Sequence, residues 1–186
     1  IAENWTMCPG FLRYQADRHL ASSAWYEIPL GRRNVGVKLV GWLCYTDRLD
    51  LVLEILRNRR SAGLVKRWVG GDFIHPGILR RNAVEYALAR IGLAEGGAPL
   101  RQALLEALKT DPYFEVRRAT AVVLGEQGVA GDQDVEGALM DALGDDAPSV
   151  VTAAIAALGH VGCDGERLLP RLRAFYVHDD WQYRQQ

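Results

Sequence analysis

The side chains able to do chemistry are few and badly spaced for it. Four histidines, His19, His75, His160 and His178, are the only imidazoles in 186 residues, and none stands at H-x-x-x-H or H-E-x-x-H spacing, so no single helix face offers two nitrogens to a zinc ion. His178-Asp179-Asp180 gathers three possible ligands for a divalent cation, but consecutive residues cannot wrap the oxygen shell such an ion takes, and a solvated turn is the expected reading. Cys8, Cys44 and Cys163 are odd in number and far apart, as expected of reduced thiols rather than a disulfide framework. Cys44 reads as a small apolar filler at a helix end, and Cys8, in a Cys-Pro-Gly turn, has no base beside it to generate a thiolate. No G-x-x-x-x-G-K-[ST] or G-x-S-x-G occurs, and residues 70–77 (GGDFIHPG) lack the Lys and hydroxyl of a phosphate loop. No catalytic residue, metal ligand or cofactor site is therefore expected.

Charge is distributed more tellingly. The net formal charge is −1, yet residues 1–92 carry 14 Lys/Arg against 8 Asp/Glu, while residues 93–186 carry 8 against 15. Arg32, Arg33, Lys38, Arg80, Arg81 and Arg90 concentrate in the basic half with Trp42, Trp68 and Tyr86 among them, a composition suited to phosphates, while a basic and an acidic half together could stack head to tail or take a dipolar partner. The balanced total weighs against a dedicated nucleic-acid binder.

These residues sit on a repeat. Residues 111–128, DPYFEVRRATAVVLGEQG, open with Asp-Pro, a helix-start signal. Val116, Ala119, Thr120, Val123, Leu124 and Gln127 then form one helical stripe, and Gly125 and Gly128 are expected to stop the helix. The Leu-Gly paragraph recurs: residues 157–162 (ALGHVG) match residues 123–128 at an offset of 34, and residues 87–92 (ALARIG) match at 36. An amphipathic stretch precedes the two later copies, residues 100–108 (LRQALLEAL) and 135–143 (VEGALMDAL). A period of this length, carried by helix pairs, describes units that cannot bury their stripes alone and must stack. Arg32-Arg33-Asn34 aligns with Arg80-Arg81-Asn82 at an offset of 48, the period plus an insertion. Arg33, Arg81 and Arg117 thus share one column, which Val151 occupies in the last full unit.

The middle unit, with Leu104, Leu108, Asp111, Val116, Arg117, Ala119 and Leu124-Gly125 in order, resembles the HEAT repeat in its short bacterial form named after phycobilisome lyases. The resemblance implies an all-α, right-handed α-solenoid (an α-α superhelix) of about four HEAT-like helical-hairpin repeats. It also implies a ladder in which an acidic residue in a turn pairs with an Arg opening an inner helix, here Asp111 with Arg117 and Glu27 with Arg33. Inner helices of such arrays line a concave face.

The expected layout is a single HEAT-like domain over residues 1–186: a divergent N-terminal repeat (1–60), an insertion loop (61–77), regular repeats (78–164) and a capping helix or truncated repeat (165–186). Insertions in repeat proteins map to loops and often to the binding face, so Trp68 and Phe73 are candidate partner contacts, with Arg80, Arg81, Glu85, Arg90 and Arg118 on the concave face. The expected function is a non-catalytic scaffold or adaptor that binds another protein. A bilin lyase-like or chaperone-like subunit acting on a tetrapyrrole protein is the alternative the repeat's family name implies, and duplex nucleic-acid binding through the basic half is a second. No apolar run approaches the roughly 20 residues of a membrane span and no signal pattern opens the sequence, so a cytoplasmic protein is expected, with homodimerisation through terminal repeats a further option.

Overall fold

The structure, a computed structural model, describes residues 9–20, 28–58, 76–128 and 131–176. All regular elements among them are helical: α1 (Pro9–Leu20), α2 (Ile28–Leu43), a 3₁₀ turn (Thr46–Arg48), α3 (Leu49–Arg57), α4 (Pro76–Asn82), a π-helical stretch (Ala83–Leu88), α5 (Ala89–Thr110), α6 (Phe114–Gln127), α7 (Gln133–Ala142), α8 (Pro148–His160) and α9 (Gly165–Tyr176). This is the all-α, helical-hairpin architecture of an α-solenoid. The chain divides into two compact units, Ile1–Ala103 and Leu104–Gln186.

In the first unit α1 packs on α2, α3 packs on α4 and the π stretch, and α2 lies against both of those segments. Two outer helices thus flank two stacked inner ones. α3 shows why a repeat needs its neighbours: LDLVLEILR buries Val52, Leu53, Ile55 and Leu56 on one face, an apolar area that water would oppose exposing at about 25 cal/mol per Å². α5 is not one straight rod. Gly92 (φ 78°) and Gly97 (φ 57°) break it before Pro99, so the outer helix read at residues 100–108 is its C-terminal part.

In the second unit α6 stacks on α8, and α7 packs on α8. α6 buries the predicted stripe residues Val116, Ala119, Thr120, Val123 and Leu124, and in addition Ala121 and Gly125; an inner helix covered by an outer helix and by the next inner helix has two buried faces. Gly125 therefore does not stop the helix, which runs through it to Gln127. It admits the neighbour instead, since a Cβ there would lie 2.5 Å from the Cα and Cβ of Ala157. Asp111 does not cap the helix directly either. α6 begins at Phe114, and the Asp111 carboxylate closes the preceding turn by accepting the Tyr113 N–H at 2.9 Å.

The same close approach occurs in the first unit. Gly41 stands eight residues after Arg33, as Gly125 does after Arg117. A Cβ on Gly41 would overlap the Tyr86 carbonyl oxygen and come within 3.1 Å of the Ala87 Cα. Ala87 and Ala157 in turn stand six residues after Arg81 and Val151. Small residues at two fixed register positions, Gly on one inner helix and Ala on the next, therefore bring inner helices into backbone contact in both units. The offset of 48 is physical as well, because Asn82 Nδ2 donates to Asn34 Oδ1 at 2.7 Å.

Candidate functional site

Two depressions have the residues to bind something, one in each unit. In the second unit, a cleft of about 670 Å³ opens beside Asp111, Arg117, Asp134, Asp141, Asp145 and Asp146. Arg117 is its organising group. Nε donates to Asp145 Oδ2 at 2.7 Å, one terminal nitrogen donates to Asp145 Oδ1 at 2.8 Å and Asp146 Oδ1 at 2.6 Å, and the other donates to the Asp111 carbonyl at 2.8 Å. The Arg117 and Asp145 side chains are only 12% and 9% exposed. The bidentate fork suits guanidinium geometry. Hydrogen bonding to Asp145 raises the Arg117 pKa above its already high value despite burial. Burial pushes the Asp145 carboxyl up, but hydrogen bonds from Arg117 and from the Ala147 N–H outweigh it and hold the group below the usual carboxylate range. This is a closed charge network between the turn before α6 and the turn before α8, with every nitrogen of the guanidinium occupied.

In the first unit, Val35, Lys38, Leu39 and Trp42 of α2 face Tyr86 of the π stretch and Arg90 across a groove of about 370 Å³. The composition is unusual for a solvent face: Val35 is 46% exposed, Trp42 56% and Tyr86 45%. Lys38 Nζ lies 5.0 Å from the Tyr86 ring centroid, within cation–π range. No carboxylate lines the groove among the described residues; the nearby Glu85 is 3.5 Å from Arg81. Short π-helical insertions recur at functional sites because the wider turn re-aims a side chain and a carbonyl. Here the stretch carries Tyr86 into the groove and presses its carbonyl onto Gly41.

The residues nominated from sequence fall as follows. Arg90 is exposed on the groove. Arg80 does not belong to a surface: it is 1% exposed and donates to the Asn58 carbonyl at 3.1 Å, because residue 80 faces the outer helix rather than solvent. Arg81 and Glu85 are about one-third exposed and pair with each other at i,i+4, and Arg81 also donates to Asn82 Oδ1 at 3.1 Å. Arg118 is half-buried in the second unit. Trp68, Phe73 and Glu27 lie outside the described residues. Arg33 is half-buried. The expected partnership of Asp111 with Arg117 takes a different form, since Arg117 bonds the Asp111 carbonyl and ion-pairs with Asp145 and Asp146 of the following turn. Cys44, read as a small filler at a helix end, does follow the end of α2 and is exposed there. The groove residues Val35, Leu39 and Trp42 carry a signal that was readable: with Lys38 they stand at i, i+3, i+4 and i+7, a second stripe on a helix whose core stripe is already supplied by Val37 and Val40.

Stacked helical hairpins that share a small-residue column define an α-α repeat protein. Residues 101–186, somewhat under half of the chain, match the family model described as HEAT repeats. The groove of the first unit lies N-terminal to the match. No curated protein is significantly similar to the chain.

Proposed function

We propose that the chain is a non-catalytic protein-interaction module whose partner engages the exposed face of α2 and the π stretch. The observation that carries this reading is the groove of Trp42, Tyr86, Val35 and Leu39 with Lys38 and Arg90 beside it: aromatic and Arg residues are the usual energetic anchors of interfaces, and HEAT repeats generally serve protein–protein interaction. Among the described residues no cluster of three or more His, Cys, Asp or Glu could hold a metal ion, and no helix is long and apolar enough to cross a membrane.

The test is a lysate pull-down with the purified chain, run with and without nuclease and repeated with Trp42→Ala. The expected outcome is a defined protein retained in both nuclease arms and lost with the variant. Retention abolished by nuclease would replace this reading with nucleic-acid binding through the basic half.

A further inference from the structure

Resting on that reading, we infer the chemistry of the partner: the groove takes an acidic peptide segment bearing one or two large apolar side chains, seated between Trp42 and Tyr86 with its carboxylates on Lys38 and Arg90. Three observations converge on it.

The first is charge. Lys38 and Arg90 are both exposed, and the ion pairs among the described residues engage neither of them. Three arginines elsewhere in the unit are engaged: Arg48 holds Asp17 at 2.6 Å, Arg81 holds Glu85, and Arg80 donates to a carbonyl. Two cations left beside an apolar trough select for a partner that brings carboxylates, because like charge there would be repelled and a neutral partner would leave them unmatched.

The second is shape. About 370 Å³ between two helices accommodates one or two side chains and is small for a folded domain face; it matches anchor residues projecting from a short segment.

The third decides between a peptide and a nucleic acid. A base-stacking surface needs open ring faces and a track of cations along the backbone. Here the Tyr86 ring already carries Lys38, Trp42 is the one other aromatic, the remaining apolar walls are the aliphatic Val35 and Leu39, and two cations make no track.

The experiment uses the full chain and fluorescence anisotropy with four labelled probes: a short peptide with a Leu-Trp pair flanked by glutamates, the same peptide with glutamines, the same with Ala-Ala in place of Leu-Trp, and oligothymidine. Expected is saturable binding of the first, about tenfold weaker binding of the second and third, and little of the fourth. Trp42→Ala should weaken the first probe about tenfold or more. Lys38→Ala/Arg90→Ala should reduce it to the level of the glutamine peptide and flatten its salt dependence. Lys38, Trp42 and Arg90 are exposed, so these variants should stay folded, which circular dichroism checks. Equal affinity for the glutamate and glutamine peptides, tighter binding of oligothymidine, or binding indifferent to Trp42→Ala overturns the proposal. If the peptides fail while a lysate protein is still retained by the Trp42→Ala chain, the interaction module stands and the groove is not its site; if neither binds, the module reading falls too.

Discussion

The two units bring inner helices together by one device and finish their exposed faces in different ways. In each, a glycine eight residues after the arginine column, Gly41 or Gly125, lets the backbone of the next inner helix into contact. In the second unit the arginine of that column is consumed: Arg117 spans from the Asp111 carbonyl to Asp145 and Asp146. In the first unit the column's Arg81 turns back on its own helix to Glu85, and cations lying further along the helices, Lys38 and Arg90, face an exposed aromatic groove. The lesson is one of allocation. A guanidinium surrounded by carboxylates ties two turns of a stack together, whereas cations beside exposed aromatics keep their charge open to solvent, which is what the proposed partner would use.

The shared device gives the largest expected effect. Gly125→Ala places a methyl 2.5 Å from the Ala157 backbone, where relief requires moving a helix rather than a flexible tip, and should cost about 3 kcal/mol. Gly41→Ala forces α2 off the Tyr86 carbonyl and should cost at least as much. Denaturant unfolding measures each loss, and hydrogen exchange locates it: Gly125→Ala should raise exchange in α6 and α8, Gly41→Ala in α2 and residues 83–88. If either substitution proves neutral, close backbone stacking is not what holds that unit.

Breaking the charge network of the second unit comes next. Arg117→Ala strands a nearly buried Asp145 carboxylate and should cost about 2 kcal/mol at neutral pH. The exposed Asp146 can be replaced with Asn at little cost, because its side chain is 89% exposed. A loss from Asp146→Asn as large as that from Arg117→Ala would show that the network's energy rests on the exposed carboxylate instead.

The pH dependence sharpens the same contrast. Asp145 is held below the ordinary carboxylate value in the folded chain, so the stability it contributes is fully present above the unfolded-state pKa of roughly 3.9. It is lost as pH falls from there through the lower folded-state value. Unfolding free energy measured between about pH 6 and pH 3 should fall less steeply for Asp145→Asn than for the parent, and identical slopes would show that the carboxylate's folded pKa is not depressed.

How much of this could be read from residues alone follows from what a repeat makes periodic. The helical hairpins, the columns of Arg and Gly and the pairing of Asn34 with Asn82 are all register features, and an offset of 34, 36 or 48 exposes them. The direction in which a column residue pairs is not periodic. Arg117 bonds forward to Asp145 because a turn carboxylate lies there, while Arg81 finds Glu85 one helical turn away; spacing alone treats the two alike. Arg80 illustrates a second blind spot. A charged residue beside a column reads as surface, yet the Asn58 carbonyl at the end of α3 satisfies it in the interior. The groove escaped notice for a third reason: its α2 stripe and Tyr86 and Arg90 lie far apart in sequence and meet only when the inner helices stack.

The smallest effect concerns the end of α2, where the first unit departs from the repeat's own rule. Cys44 has φ 47°, and Gly92 and Gly162, at equivalent helix ends, have φ 78° and 71°. The hydrogen bonds agree: Tyr45 N–H donates to the Val40 carbonyl at 2.9 Å and Cys163 N–H to the Leu158 carbonyl at 3.1 Å, the same six-to-one closure of a helix end. A left-handed residue bearing a Cβ costs roughly 1–2 kcal/mol, and glycine's greater freedom in the unfolded chain returns roughly 0.5–1 kcal/mol of any gain. Cys44→Gly should therefore stabilise the chain by about 0.5–1 kcal/mol, read as a rise in denaturation midpoint at unchanged slope. Cys44→Ala keeps the Cβ and should give no such gain, so a rise with both would locate the benefit in removal of the exposed thiol and not in the backbone.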